Sequence, residues 1–234
     1  MRKAGPRLRF DEEHWIPLSD MMTGLMFLFL IIALAYMVQA QFEADRAKVI
    51  AVTYDQTRRD LYADLDREFH VDLVKWGANL DKKTLSIRFT EPDVLFEVGS
   101  DRLQGRFASI LNDFFPRYVR ILTEPKYVNA ISEVRIEGYT STIWRPGATA
   151  EEAYIGNMEL SQSRTRSVLG HVLAIPSLRA EQPWLMEHVT ANGLSFSHLI
   201  KVGGREDQQQ SQRVEFRVRT DADEQLRKIL ALPL

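Results

Sequence analysis

The chain has 234 residues, 30 Lys and Arg against 32 Asp and Glu, 45% hydrophobic residues and no cysteine. That length suffices for one or two domains with a real core. The formal charge of -2 leaves no cationic excess to neutralise phosphates, which argues against direct nucleic-acid binding. The absence of thiols excludes a disulfide framework, a thiolate nucleophile and a thiolate metal site.

Residues 1–15 read as a short cytoplasmic tail, and residues 16–38 as a transmembrane helix. From Ile16 to Val38 the only side chain charged at neutral pH is Asp20. The run exceeds the roughly 20 residues needed to cross the hydrocarbon core. A cleavable signal peptide is the alternative, but its apolar region would be shorter, and Val38-Gln39-Ala40 makes a poor cleavage site. Arg2, Lys3, Arg7 and Arg9 precede the span and orient it with the N-terminus in the cytoplasm. Trp15 and Tyr36 sit near its two ends, at the depth where amphipathic rings prefer the interface.

Asp20 has two readings. It can cap the helix behind Pro17, where an acid favours the helix dipole. Otherwise it is a functional intramembrane carboxylate, because an ordinary anchor does not need a residue that costs about 2.5–3.5 kcal/mol to insert. Helical spacing puts Asp20, Thr23, Gly24, Phe27 and Ile31 on one face. A carboxylate, a hydroxyl and a glycine together suit close packing against a partner helix around a polar pocket.

Residues 39–83 read as a helical connector. Leu61, Leu65, Phe69, Leu73, Trp76 and Leu80 form an apolar stripe, which either packs on the chain's own following domain or pairs two copies. Residues 84–220 alternate strands with helices. Strands are expected at 85–89, 134–139, 199–202 and 214–219, and helices at 102–119, 157–173 and from Trp184 to Val189. The fold class is α+β: one transmembrane helix, a helical connector, then a layered α/β sandwich with a mixed sheet. Residues 221–234 read as a tail.

Within this last domain, Asn157, Leu160, Ser161 and Arg164 share a helix face at spacings of three and four. With the helix expected to begin at Asn157, an amide and a guanidinium beside its N-terminus suit a carboxylate ligand. The alternative is an ordinary solvated arginine.

Two resemblances sharpen these readings. The run Pro17-Leu18-Ser19-Asp20-Met21-Met22-Thr23-Gly24-Leu25-Met26-Phe27-Leu28-Phe29-Leu30 resembles the stator B-subunit family, which includes flagellar MotB. That resemblance implies that Asp20, with Thr23 beside it, carries translocated H⁺ or Na⁺, with no bound cofactor. It also implies a homodimer plugged into a ring of larger A-type membrane subunits. The segments Leu95–Ser100, Ile136–Ser141, Asn157–Arg164 and Gln212–Phe216 resemble the OmpA-like peptidoglycan-binding domain. That resemblance implies a periplasmic domain that binds peptidoglycan through Tyr139, Asn157, Leu160 and Arg164. Three departures stand out: Ser141 replaces the usual Asp that holds the stem peptide's amine, the loop 142–156 is longer, and the loop at Gly203–Asp207 lacks a nearby proline.

The five histidines are scattered without metal-ligand spacing, and no nucleotide-binding loop, nucleophile elbow or paired catalytic motif occurs, so no enzyme is expected. Arg213, Arg217 and Arg219 alternate on the last strand and read as a solvated face. The short tail, the Pro17–Phe29 run and the Gly138-Tyr139-Thr140 and Asn157–Arg164 sequences together look most like the ZorB family of Zorya antiphage systems. This resemblance implies a MotA-like ZorA ring and an indirect link to cytoplasmic defence effectors. A flagellar-type stator subunit and a passive peptidoglycan tether are the alternative functions.

Overall fold

The computed structural model describes residues 15–90, 95–97 and 99–220. The expected N-terminal tail (residues 1–14 of it), Val98 and the expected C-terminal tail lie outside them. The chain divides into two compact units, residues 1–50 and 51–234.

Helix α1 is assigned from Trp15 to Trp76. Its first unit contains a stretch long and apolar enough to cross a membrane, Ser19–Arg46. Met21, Leu25, Phe27, Phe29 and Ile31 are all more than half exposed, so this stretch has no apolar partner among the described residues of the chain. An exposed apolar surface of this extent is stable only against lipid or another protein.

In the second unit the α1 stripe goes inward. Leu61, Leu65, Phe69 and Leu73 are buried in the same core as the sheet, so the helix packs on its own domain. The helical connector expected to reach residue 83 ends instead at Trp76. Gly77 (φ 62°) adopts the left-handed conformation that stops a helix, and Ala78–Asp81 becomes strand β1. β1 turns back antiparallel onto β2 (Ser86–Phe89).

The remaining elements are α2 (Gly105–Leu122), β3 (Ile131–Tyr139), α3 (Ala150–Leu173), α4 (Gln182–His188), β4 (Val189–Gly193), β5 (Lys201–Val202), β6 (Arg205–Glu206), α5 (Gln208–Ser211) and β7 (Arg213–Thr220). A five-stranded sheet runs in the order β1-β2-β7-β3-β4, and β5-β6 forms a separate hairpin. β3 pairs parallel with β4 and antiparallel with β7, so the sheet is mixed, as expected. β4 has no counterpart among the expected strands: Val189-Thr190-Ala191-Asn192-Gly193 carries too little alternation to announce itself.

Strand alternation divides the sheet. Ile87, Phe89, Val134, Ile136, Val214, Phe216 and Val218 enter the core, where α1, α2 and α3 cover them. Phe114 of α2 centres that core, with its ring 5.0–5.4 Å from those of Tyr118, Phe216, Phe69 and Phe89. The intervening residues Arg88, Glu133, Arg135, Glu137, Arg213, Glu215, Arg217 and Arg219 build a charged ladder on the opposite face.

Two glycines set how close α3 comes to the sheet. Gly138 and Gly193 are paired across β3 and β4. A Cβ on Gly193 would sit 2.2 Å from the backbone nitrogen of Gln162, and one on Gly138 would sit 3.0 Å from the carbonyl oxygen of Ser161. Gln162 then accepts from the Gly193 amide through Oε1 at 2.8 Å, and Ser161 Oγ accepts from the Ser195 amide at 3.0 Å. These contacts fix the register of α3, and with it the site at the end of β3.

Candidate functional site

A cleft of about 360 Å³ opens where β3 ends and α3 passes over it. Its walls include Phe96 and Gly99, then Thr140 and Ser141 after β3, Ile143 and Trp144 from the following loop, Asn157, Leu160 and Arg164 from α3, and Gln212. Three of the four peptidoglycan-binding residues expected from the sequence therefore converge here: Asn157, Leu160 and Arg164.

Tyr139 lines a small adjoining cavity with Phe96, Arg164 and Gln212 and not the cleft itself. Strand alternation sends it to the charged face with Glu137, where it is 4% exposed and donates its hydroxyl proton to Glu137 Oε2 at 2.8 Å. The Arg213 guanidinium lies 3.7 Å from the Tyr139 ring centroid, packing the side chain under the site. Burial, with the Glu137 and Glu215 carboxylates, pushes its phenol above the ordinary range, so it is a neutral donor.

The helix-terminus argument also needs correcting. α3 begins at Ala150, not Asn157, because Thr149 closes a capping box with Glu152: its Oγ1 accepts from the Glu152 amide at 3.2 Å, and Glu152 Oε2 accepts from the Thr149 amide at 2.8 Å. The expected long loop 142–156 thus spends its second half as helix. Asn157 lies two turns inside, beyond the reach of the terminal dipole. Its amide nitrogen donates to Ile143 O at 3.2 Å and Ala153 O at 3.0 Å, tying the cleft loop to the helix.

Arg164 is the electrostatic centre of the cleft. It is 8% exposed; its Nε donates to Ser100 O at 2.9 Å, and its guanidinium stacks 4.8 Å from the Phe96 ring centroid. Among the described residues no carboxylate makes an ion pair with it. Burial holds its pKa below the ordinary guanidinium value, with Asp101 opposing that shift. Asp101 is itself occupied by the hydroxyl of Ser163, whose hydrogen bond lowers the carboxyl's pKa. A buried cation lacking a paired anion is the arrangement that an incoming carboxylate completes.

Thr140 Oγ1 is a second open valence: it is buried and has no hydrogen-bond partner among the described residues. Ser141, standing where the OmpA-like pattern has an acid, accepts weakly from the Ile143 amide at 3.4 Å. The next residue is clamped, with Thr142 donating through its amide and hydroxyl to Glu206 at 3.0 and 2.5 Å. Trp144, 36% exposed, lies against Gly156 and forms an apolar wall. Sequence reasoning missed Phe96, Ile143 and Trp144; an apolar pair inside an otherwise polar loop was the available signal for the last two.

In the first unit, Asp20 and Thr23 are exposed on α1. Thr23 Oγ1 donates back to Ser19 O at 2.8 Å, which spends its proton within the helix and leaves its lone pairs to accept. Gly24, one residue on, has nothing within 4 Å of its missing side chain among the described residues.

No family model matches the chain. It is 44% identical over 229 residues, covering 97% of both sequences, to Zorya protein ZorB of Escherichia coli. Among solved structures it is similar to a MotB-like protein from Desulfovibrio vulgaris, with 23% identity and a TM-score of 0.47 over 70% of this chain and 91% of that one. It is also similar to the type VI secretion cell wall anchor of Pseudomonas aeruginosa, with 20% identity and a TM-score of 0.45 over 67% and 96% of the two chains. With 44% identity sustained across nearly the whole of both sequences, the chain belongs to the ZorB family.

Proposed function

We propose that the chain is the B subunit of an ion-driven, MotA/MotB-like inner-membrane motor in an antiphage defence system. The observation that carries this reading is the carboxylate of Asp20, with Thr23 and the bare Gly24 beside it, in a membrane-length stretch that carries no other charge before Glu43 and has no apolar partner among the described residues. Such a face costs insertion energy without return unless a partner supplies a polar pocket. The partners proposed are a second copy of the chain and a ring of MotA-like ZorA subunits. Asp20 alternately binds and releases H⁺ or Na⁺ as that pocket changes, and one charge crossing 100 mV releases about 2.3 kcal/mol. The N-terminus is cytoplasmic and the second unit periplasmic.

The cleft supplies the anchor. Arg164 binds a stem-peptide carboxylate of peptidoglycan, Thr140 adds a hydroxyl, Asn157 holds the loop, and Leu160 and Trp144 cover the apolar part of the ligand. Held in the wall, the subunit is fixed while the ring turns and signals to cytoplasmic effectors.

The test is phage plating on cells carrying the operon, with wild type and Asp20→Asn at matched membrane levels. Asn is nearly isosteric but cannot ionise, so protection should be lost while the complex still assembles. Protection at the wild-type level would remove Asp20 from the mechanism and favour a passive tether.

A further inference from the structure

A second concave site lies on the second unit, built from residues that the peptidoglycan cleft does not use. It holds about 220 Å³ and is lined by Arg58 of α1, Lys83, Thr84 and Leu85 of the β1–β2 turn, Arg135 of β3, and Val218 between Arg217 and Arg219 of β7. Five of these side chains are cationic and, among the described residues, no carboxylate lines the space.

The sheet register makes this concentration costly. Arg135 and Arg217 are direct cross-strand partners, and like charges in that position destabilise a ladder. Carboxylates behind the cleft offset part of this. Glu133 Oε2 accepts from Arg135 Nε at 2.7 Å and from Arg219 Nη1 at 3.3 Å, and Glu215 Oε2 accepts from Arg217 Nη2 at 3.4 Å. Each of the three guanidiniums thus makes one hydrogen bond to a described carboxylate, and Arg217 Nε also lies 3.3 Å from Glu137 Oε2 as an ion pair, although a guanidinium carries five N–H donors. The same three arginines are only 23–35% exposed, so their remaining donors are partly withdrawn from water and held beside the cleft.

From this we infer that the cleft between the β1–β2 turn and the β3–β7 ladder binds a phosphate group. Several guanidinium forks around a space of this size match a compact, multiply charged oxyanion. The volume falls below the ~300–1,000 Å³ typical of drug-sized ligands, so the site takes the phosphate and not a large attached body. A free phosphate compound and the headgroup of an anionic lipid share this chemistry.

The experiment uses the full chain, stripped of lipid in a non-ionic detergent and titrated calorimetrically at constant ionic strength. The probes are inorganic pyrophosphate and, separately, monomeric dihexanoyl phosphatidylglycerol. Saturable binding of at least one probe is expected. Arg135→Gln with Arg219→Gln should weaken it by roughly tenfold or more, the loss expected of charged hydrogen bonds. Lys83→Gln, an exposed turn residue whose replacement leaves the sheet intact, should weaken it independently, so the site remains testable if the double variant fails to fold. Arg179→Gln, an exposed charge elsewhere, should change nothing. Tighter binding of pyrophosphate assigns the site to a soluble phosphate compound, and tighter binding of the lipid assigns it to a headgroup. Binding of neither probe, or equal weakening by Arg179→Gln, overturns the inference and leaves a solvated basic face.

Discussion

Two glycines with the same steric reading should respond to alanine in opposite directions. A Cβ on Gly193 would meet the backbone nitrogen of Gln162 at 2.2 Å, with Gln162 Cα at 2.5 Å and Ser161 C at 2.8 Å. Ordinary contact begins near 3.4 Å, so α3 would have to retreat by more than an ångström, and no side-chain rotation can help. That retreat strains the Gly193 and Ser195 amide bonds to α3 and displaces Arg164, two residues beyond Gln162. Overpacking of this kind costs about 1–3 kcal/mol, and at about 2–4 °C per kcal/mol the midpoint should fall by roughly 2–12 °C. A Cβ on Gly156 also meets an atom at 2.2 Å, but that atom belongs to the Trp144 ring, which is 36% exposed and can swing away. Gly156 lies inside α3, where alanine gains about 0.8–1 kcal/mol of helix propensity. Gly156→Ala should therefore leave the midpoint unchanged or raise it, while shifting Trp144 fluorescence. Thermal melts of the full chain in detergent, followed by circular dichroism, compare the two. A Gly193→Ala midpoint equal to wild type, or an equal fall for both variants, would refute the claim that a backbone obstacle differs from a mobile ring.

Two further outcomes follow from the core and its charged rim. Hydrogen bonds from Lys126 and Tyr127 hold the Asp64 carboxyl below its ordinary range, so its stabilising contribution is complete above the unfolded pKa of about 3.9 and is lost as pH falls through the lower folded value. Melting from pH 7 to 3 should show an acid limb that Asp64→Asn flattens; an unchanged limb would assign the acid loss to other carboxylates. Phe114→Ala empties the centre of the aromatic cluster and should cost about 3–5 kcal/mol, read as the loss of melting midpoint, whereas a loss under about 1 kcal/mol would mean the core collapses into the gap.

Periodicity made some of the molecule legible in the sequence and left other parts hidden. The α1 stripe from Leu61 to Leu73 repeats at helical spacing and does enter the core, though only the structure chooses its own domain over a second copy as the surface it covers. The alternation in β3 and β7 is plain because one sheet face is aliphatic and the other charged. β1 was hidden because Ala78–Asp81 is an edge strand of partly exposed residues following an unbroken helical pattern. The start of α3 was misplaced because Thr149 and Glu152 form their capping box ahead of an apolar-poor first turn. Arg164 could be picked from its spacing, but its lack of an anionic partner is a property of the fold: Phe96 and Ser100 reach it from more than sixty residues away.

The end of β3 shows how closely the candidate site depends on strand geometry. Three consecutive residues go to three different surroundings. Gly138 yields its place to α3, Tyr139 turns to the charged face, and Thr140 enters the cleft. A motif spanning all three residues can therefore mark a binding site without each residue touching the ligand. Tyr139 is a support, packed between the Arg213 guanidinium and the Glu137 carboxylate. If the cleft binds peptidoglycan as proposed, Ser141 offers no acid to a ligand amine, while Arg164 offers a cation to a carboxylate; both line the cleft. On the proposed reading, selectivity in this cleft shifts toward the anionic end of the stem peptide. The unpartnered Thr140 hydroxyl strengthens that bias, since it can donate to the same carboxylate without adding a charge of its own.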